Sequence, residues 1–285
     1  MNQPTTLAIV CFLAACGPLP VDAVDETGED DVATSIFRNN LRRVNLQPQA
    51  SAQSSIDVRN EDELFAALTS LPTTTATGDC SGRAINLVAD ITLTRTISLD
   101  DQHAGLLITS ASRSRVTSSS VISMITVVGD NVDSVAIKGI SAVGFVALLN
   151  LAGKIVERWS IFNVVGDGTF SAGAIATSGG RLGFSSVRDS YVDGVSGDCN
   201  FTSFIGNDMT SMSLGNTVNA IISGNIISGN ITLTAAGGSL TIMGNGFLGG
   251  ASIDTSAGPG ANTIFGNTNV GTITTHATDA VGLNT

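Results

Sequence analysis

Aromatic side chains are scarce in this chain, at 5% of 285 residues, with a single Trp and a single Tyr. A wide globular core is normally filled with large rings, so such a core is disfavoured. A core one side chain deep can be closed by Ile, Val, Leu and Ala. Charge is also scarce, at 13%, and Lys138 and Lys154 are the only lysines. With a net charge of −11 no basic patch can be assembled, which argues against nucleic-acid binding. An anionic surface also repels polyanions unless a cation bridges them. The two histidines, His103 and His276, lie far apart in sequence, so neither a His-based triad nor a zinc centre is supported. Only one amphipathic helical pattern is present, and no second one interrupts the strand-like runs that follow it, which disfavours a βαβ fold.

What is abundant is Gly, at 32 residues, together with Thr, Ser, Val and Ile, a mixture suited to strands and tight turns. Near the C-terminus one phrase returns as "SFIGN", "AIISGN", "LTIMGN" and "TIFGN", ending at Asn207, Asn225, Asn245 and Asn267. A period of about 20 residues signals a repeat architecture. From Ala84 onward short apolar runs such as "INLVADITL", "VISMITVV" and "WSIFNVV" are punctuated by Gly, Asn, Asp or Ser. Coils of about three short strands, stacked at ~4.8 Å and hydrogen-bonded in parallel, explain both features. Gly at the recurrent corner tolerates positive φ, and Asn can bond to its equivalents above and below as a structural ladder. In this reading the apolar residues before each Gly-Asn point into the core. "IDVRNEDELFAALTSL" supplies a strand and then a helix near 60–71, N-capped by Asn60 with Glu63 in a capping-box position and ended by Pro72. Leu64, Phe65, Leu68 and Leu71 share a face that covers the first coil.

The N-terminus reads as a targeting segment. "LAIVCFLAA" over residues 7–15 has the length of a signal-peptide core and is too short to span a bilayer. "LAAC", ending at Cys16, resembles the lipobox of bacterial lipoproteins, which implies diacylglycerol on that cysteine and membrane attachment. Met1 to Thr6 lacks Lys and Arg, and ordinary secretory cleavage near Ala23 is the alternative. Residues 16–55, with the acidic run "DAVDETGEDD", read as a solvated, disordered tether. The β-helix domain then covers 56–285.

Three stretches resemble bacterial right-handed parallel β-helix surface proteins with polymorphic-outer-membrane-protein-like repeats: "AINLVADITLTRTISL", "AGAIATSGGRLGFSSVRDSYVDG" and "FTSFIGN". The resemblance implies an all-β, right-handed parallel β-helix and a surface location. It carries over no catalytic residue. Left-handed β-helices use strict hexapeptides, and the drifting spacing here favours the right-handed form.

The charged residues offer the candidate chemistry. Asp189, Asp193, Asp198 and Asp208, with Arg188 and Tyr191 beside them, form the best carboxylate cluster. The spacing of Asp189 and Asp208, about one coil, would let them stack as the pair a glycoside hydrolase needs. A calcium site is the other chemistry these oxygens allow. Lys138, Lys154 and Arg158 are the candidate bases of a polysaccharide lyase. The competing reading makes each Asp a turn residue. Cys80 and Cys199 lie about six coils apart, ~30 Å along the axis, beyond disulfide reach. The sequons at Asn200 and Asn230 have meaning only in a eukaryotic host. Thr-rich stretches invite an ice-binding reading, but the Thr pairs are scattered and Thr is a common strand residue. The leading expectation is therefore an exported, lipid-anchored, non-catalytic binding, adhesion or structural protein without a cofactor. It would present a regular flank to glycans or to envelope or host surface proteins. A polysaccharide-degrading enzyme and a self-assembling envelope protein are the alternatives.

Overall fold

The computed structural model describes residues 55–71, 83–120, 122–168 and 174–285. The signal segment, Cys16 and the tether lie outside the described residues, as do Pro72 and Cys80. One α-helix, α1 (Glu61–Ser70), follows a first strand, Ser55–Val58. Among the described residues every other regular element is a strand or the one 3₁₀ turn Asp101–His103. The strands form three sheets of eleven, ten and eight members, here sheets A, C and B, and every strand pair among the described residues is parallel. The chain visits A, B and C in turn on each coil, so this is a parallel β-helix.

Register follows from alternation. In sheet A, Ile85, Ile108, Ile137, Ile161, Val187, Phe204, Ile222, Ile242 and Ile264 are partners in succession. Each is at most 1% exposed. A slip of one residue would expose the whole row, so the buried face holds the register even though coil length varies. The longest step runs from Ile108 to Ile137 and the shortest from Val187 to Phe204. The extra residues go into loops between strands, which leaves the core stack unchanged.

Helix α1 begins where Asn60 accepts the Glu63 N–H at 2.9 Å. The Glu63 carboxylate reaches back to the Arg59 N–H at 2.7 Å, one residue earlier than a standard capping box. Leu64, Ala67, Leu68 and Leu71 join the same apolar cluster as Val58, Ile85 and Ile91. The helix thus covers the first coil's open end. Phe65 is only half-buried, and its ring carries the Arg95 guanidinium at 3.7 Å.

Two corners punctuate each later coil. Between sheets A and B, Gly206, Gly224, Gly244 and Gly266 take φ of 67°, 64°, 60° and 66°. The following asparagine turns inward and is 1–2% exposed. Asn207, Asn225, Asn245 and Asn267 donate through Nδ2 to Oδ1 of the next asparagine at 3.0, 2.9, 2.9 and 2.8 Å, and the last acceptor is Asn284. Asn225 shows the full accounting. Its Oδ1 accepts the Asn207 N–H and amide, and its Nδ2 donates to the Phe204 carbonyl and to Asn245. Both donors and both acceptor sites of a buried amide are therefore occupied. Towards the N-terminus the row passes to Ser190, whose N–H bonds to Asn207 Oδ1 at 3.1 Å and whose hydroxyl accepts the Val164 N–H.

Of the apolar residues before each Gly-Asn, only alternate ones point inward. Ile222 and Ile264 are fully buried, whereas Ile221 and Phe265 are 41% and 44% exposed. The strand's period of two allows no other outcome. The second corner, from sheet C to sheet A, places Ser134, Arg158, Phe184, Phe201, Asn219, Ser239 and Ala261 at positive φ. Each is followed by a residue that turns inward, among them Trp159, whose Nε1 donates to the Val132 carbonyl at 2.6 Å.

Replacing Asn225 by Ala should cost at least about 2 kcal/mol, because it strands the Asn207 donors and the Phe204 carbonyl in a dry corner. Urea unfolding checks this. Ile221→Ala, one residue before the buried Ile222, should change stability by no more than about 0.5 kcal/mol.

Candidate functional site

The four aspartates of the expected acidic cluster are spread from the A–B corner along sheet B to sheet C. Asp189 sits at the A–B corner with φ 49°, and its equivalent on the next coil is Gly206. A Cβ on Gly206 would lie 2.8 Å from Asp189 Oδ1. Asp208 lies on sheet B, in register with Tyr191 and not with Asp189. Asp193 accepts the Thr210 hydroxyl at 2.6 Å. Asp198 belongs to sheet C, opposite Arg181, and accepts the Asn216 N–H at 2.7 Å. The coil spacing is right, but a two-residue offset carries Asp208 around the corner. Among the described residues no three His, Cys, Asp or Glu side chains group as metal ligands.

The expected bases are dispersed too. Lys154 Nζ pairs with Asp130 at 2.7 Å, and Arg158 pairs with Asp133 at 3.3 Å. Lys138 projects from sheet A, 5.5 Å from the centre of the Phe162 ring, whereas Lys154 follows a strand of sheet C. Cys199 is a free thiol facing the core opposite Leu182. Burial, aided by the Asp198 charge, pushes its pKa up to about 12. It has neither the exposure nor the thiolate character of a reactive cysteine.

What the fold does organise is its outer faces. In sheet A the outward positions form two columns. One runs Lys138, Phe162, Arg188, Ile205, Ser223, Met243, Phe265. Ser223 is only 3% exposed on this outer side, between Ile205 and Met243. Ile221 in the neighbouring column adds to the same apolar strip. At the edge of the sheet Phe184 and Phe201 stack with centroids 4.7 Å apart and planes within 5°. Both rings hold positive φ and remain 56% and 46% exposed. Sheet C is different. Its outward column runs Ser98, Thr126, Asn150, Ala176, Ser196, Ser213, Thr232, Asp254 and Thr274, almost wholly polar. The two faces offer separate chemistries, apolar with cations at one end and hydroxyl-rich.

One carboxylate that no sequence motif singles out is held most completely. Asp279 accepts from the Thr255 hydroxyl at 2.7 Å, from the Asn262 N–H and amide at 3.0 and 2.9 Å, and from the His276 N–H at 3.0 Å. Its burial raises its pKa, but these four hydrogen bonds outweigh that and hold it below the ordinary aspartate value. The second histidine thus belongs to a turn-fastening network. His103 lies near the other end of the stack, paired with Asp100 at 2.7 Å. No protein-family model matches the chain, and no curated protein or solved structure matches it either.

The Asp279 network predicts a pH dependence. Its folded pKa is depressed, so the unfolded chain takes up a proton first as pH falls. Its stabilisation is present above the ordinary Asp range and is lost as pH drops through the folded value. Asp279→Asn should lower Tm by a few degrees at pH 7, and the gap to wild type should narrow below about pH 4. A Tm series from pH 7 to pH 2 measures this. A gap constant across the series would show that the charge contributes nothing.

Proposed function

We propose that this chain is an exported, non-catalytic adhesion protein that uses the outer face of sheet A to dock the surface of another protein in or against the cell envelope. The observation that carries the reading is the apolar strip of Phe162, Ile205, Ile221, Met243 and Phe265, set in register by the coils beneath it. Apolar side chains held in register along one face form a contiguous patch, unlike single exposed apolar residues, and such a patch marks an interaction surface. Aliphatic and thioether side chains with few hydrogen-bonding neighbours suit a protein surface better than a sugar, which needs polar partners around its hydroxyls. The dispersal of the aspartates and the pairing of Lys154 and Arg158 favour binding over glycan cleavage. Attachment through a lipid on Cys16 and the likeness to bacterial β-helix surface proteins support the same reading from the sequence. The acidic tether would hold the stack away from the membrane.

The test uses the full chain and a variant carrying Phe162→Ser, Ile205→Ser and Phe265→Ser. Both are measured against purified envelope and host-surface proteins and against a panel of neutral and acidic polysaccharides. Wild type should retain a protein partner, and the variant should lose at least about tenfold in affinity with little change in Tm. Shortening of any polysaccharide, lost in Asp189→Ala or Asp208→Ala, would make this an enzyme. Retention of polysaccharide alone would replace the proposed partner with a glycan.

A further inference from the structure

A second site lies far from that strip, in a cleft of about 530 Å³ between α1 and the first coils. Its lining includes Phe65, Thr69, Arg95, Ser98, Gln102 and His103. That volume suits a ligand the size of a sugar.

Two groups in the cleft are built for a ligand. The first is Arg95. Its guanidinium lies flat enough on Phe65 to place its centre 3.7 Å from the ring centroid. Among the described residues it makes no ion pair or side-chain hydrogen bond. Glu61, the nearest acid, spends its oxygens on the Thr94 N–H and hydroxyl and on the Arg95 N–H. The guanidinium fork is therefore pre-positioned and unoccupied, the arrangement suited to a carboxylate.

The second is His103. It is 4% exposed, and its Nδ1 lies 2.7 Å from Asp100 Oδ1. A carboxylate oxygen only accepts, so the proton is on Nδ1. The Asp100 N–H also points at Nδ1 from 3.1 Å, but one nitrogen cannot donate and accept together, and the shorter contact decides. In the neutral ring Nε2 then carries a lone pair, and in the protonated ring it is a second donor. It makes no hydrogen bond among the described residues, and it is not among the buried unpaired atoms, so it reaches solvent at the cleft. The turn that carries this ring is fastened from behind by buried Arg83, which donates to the Gln102 and Ala104 carbonyls. The ring is thus rigid, nine-tenths buried and unpartnered on the cleft side.

We propose that this cleft binds a polyhydroxy carboxylate, a sugar acid, with the carboxylate on Arg95 and a hydroxyl on His103 Nε2. Thr69, Ser98 and Gln102 supply the remaining polar contacts. This site shares no residue with the sheet A strip and stands or falls independently of it.

Isothermal titration of the full chain with glucuronate, glucose and inorganic phosphate tests the proposal. Glucuronate should bind at millimolar concentrations or below, and glucose and phosphate should bind at least about tenfold more weakly. Arg95→Ala, at an exposed position, should fold normally and lose about tenfold or more for glucuronate. His103→Gln should weaken glucuronate, and its Tm reports any loss of the turn. The idea fails if glucuronate gives no heat, if phosphate binds equally well, or if Arg95→Ala binds glucuronate like wild type.

Discussion

The structure depends on satisfying polar groups at the corners of a stack whose core is apolar and one side chain deep. Each coil must turn its backbone three times without leaving N–H or C=O groups unpaired inside. Between sheets A and B the solution is an asparagine that accepts from the coil before it and donates to the coil after it. The glycine ahead of it takes the positive φ that lets the side chain turn in. Because each amide needs its neighbour, the row couples coil to coil in addition to the strand ladders. Coil length can then vary without cost to the interior, and the surplus appears as loops.

Function follows from the same geometry. A stack in register repeats any outward side chain every ~4.8 Å, so a face becomes a stripe. Sheet A turns that into an apolar strip that ends at Lys138 and is interrupted by Arg188, and sheet C into a hydroxyl-rich one. Convergent sites are harder to build, because residues one coil apart face alike only when they occupy the same position in the coil. The cleft beside α1 escapes this limit. There the helix and the 3₁₀ turn break the repeat and bring Phe65, Arg95 and His103 to one cavity.

Much of this was legible in the sequence. The Gly-Asn returns mark the A–B corner because glycine and asparagine each do something there that few residues can. Asn284 escaped notice since "GLNT" lacks the preceding glycine, although its side chain closes the row. The second corner was invisible. Its positive-φ positions hold Ser134, Arg158, Phe184, Phe201, Asn219, Ser239 and Ala261, residues too varied to make a recurrent turn signature. Asn60 was readable as an N-cap because its partner lies three residues away, within local reach. The relation of Asp189 to Asp208 was not. Spacing gives the coil, but a loop of unknown length hides the register, and two residues separate a corner from a strand. The cleft was hidden for a similar reason, since Phe65 and Arg95 meet only after α1 folds onto the first coil.

The most direct test of the central claim is hydrogen exchange of the asparagine side-chain amides, read by NMR with specific labelling. If the asparagine row couples the coils, the Nδ2 protons of Asn225 and Asn245 should exchange as slowly as the backbone amides of Ile222 and Ile242 beside them, and Asn131 on the surface should exchange fast. Equal, fast exchange for all three would mean that the row is open to water and that the stack is held by its strands alone.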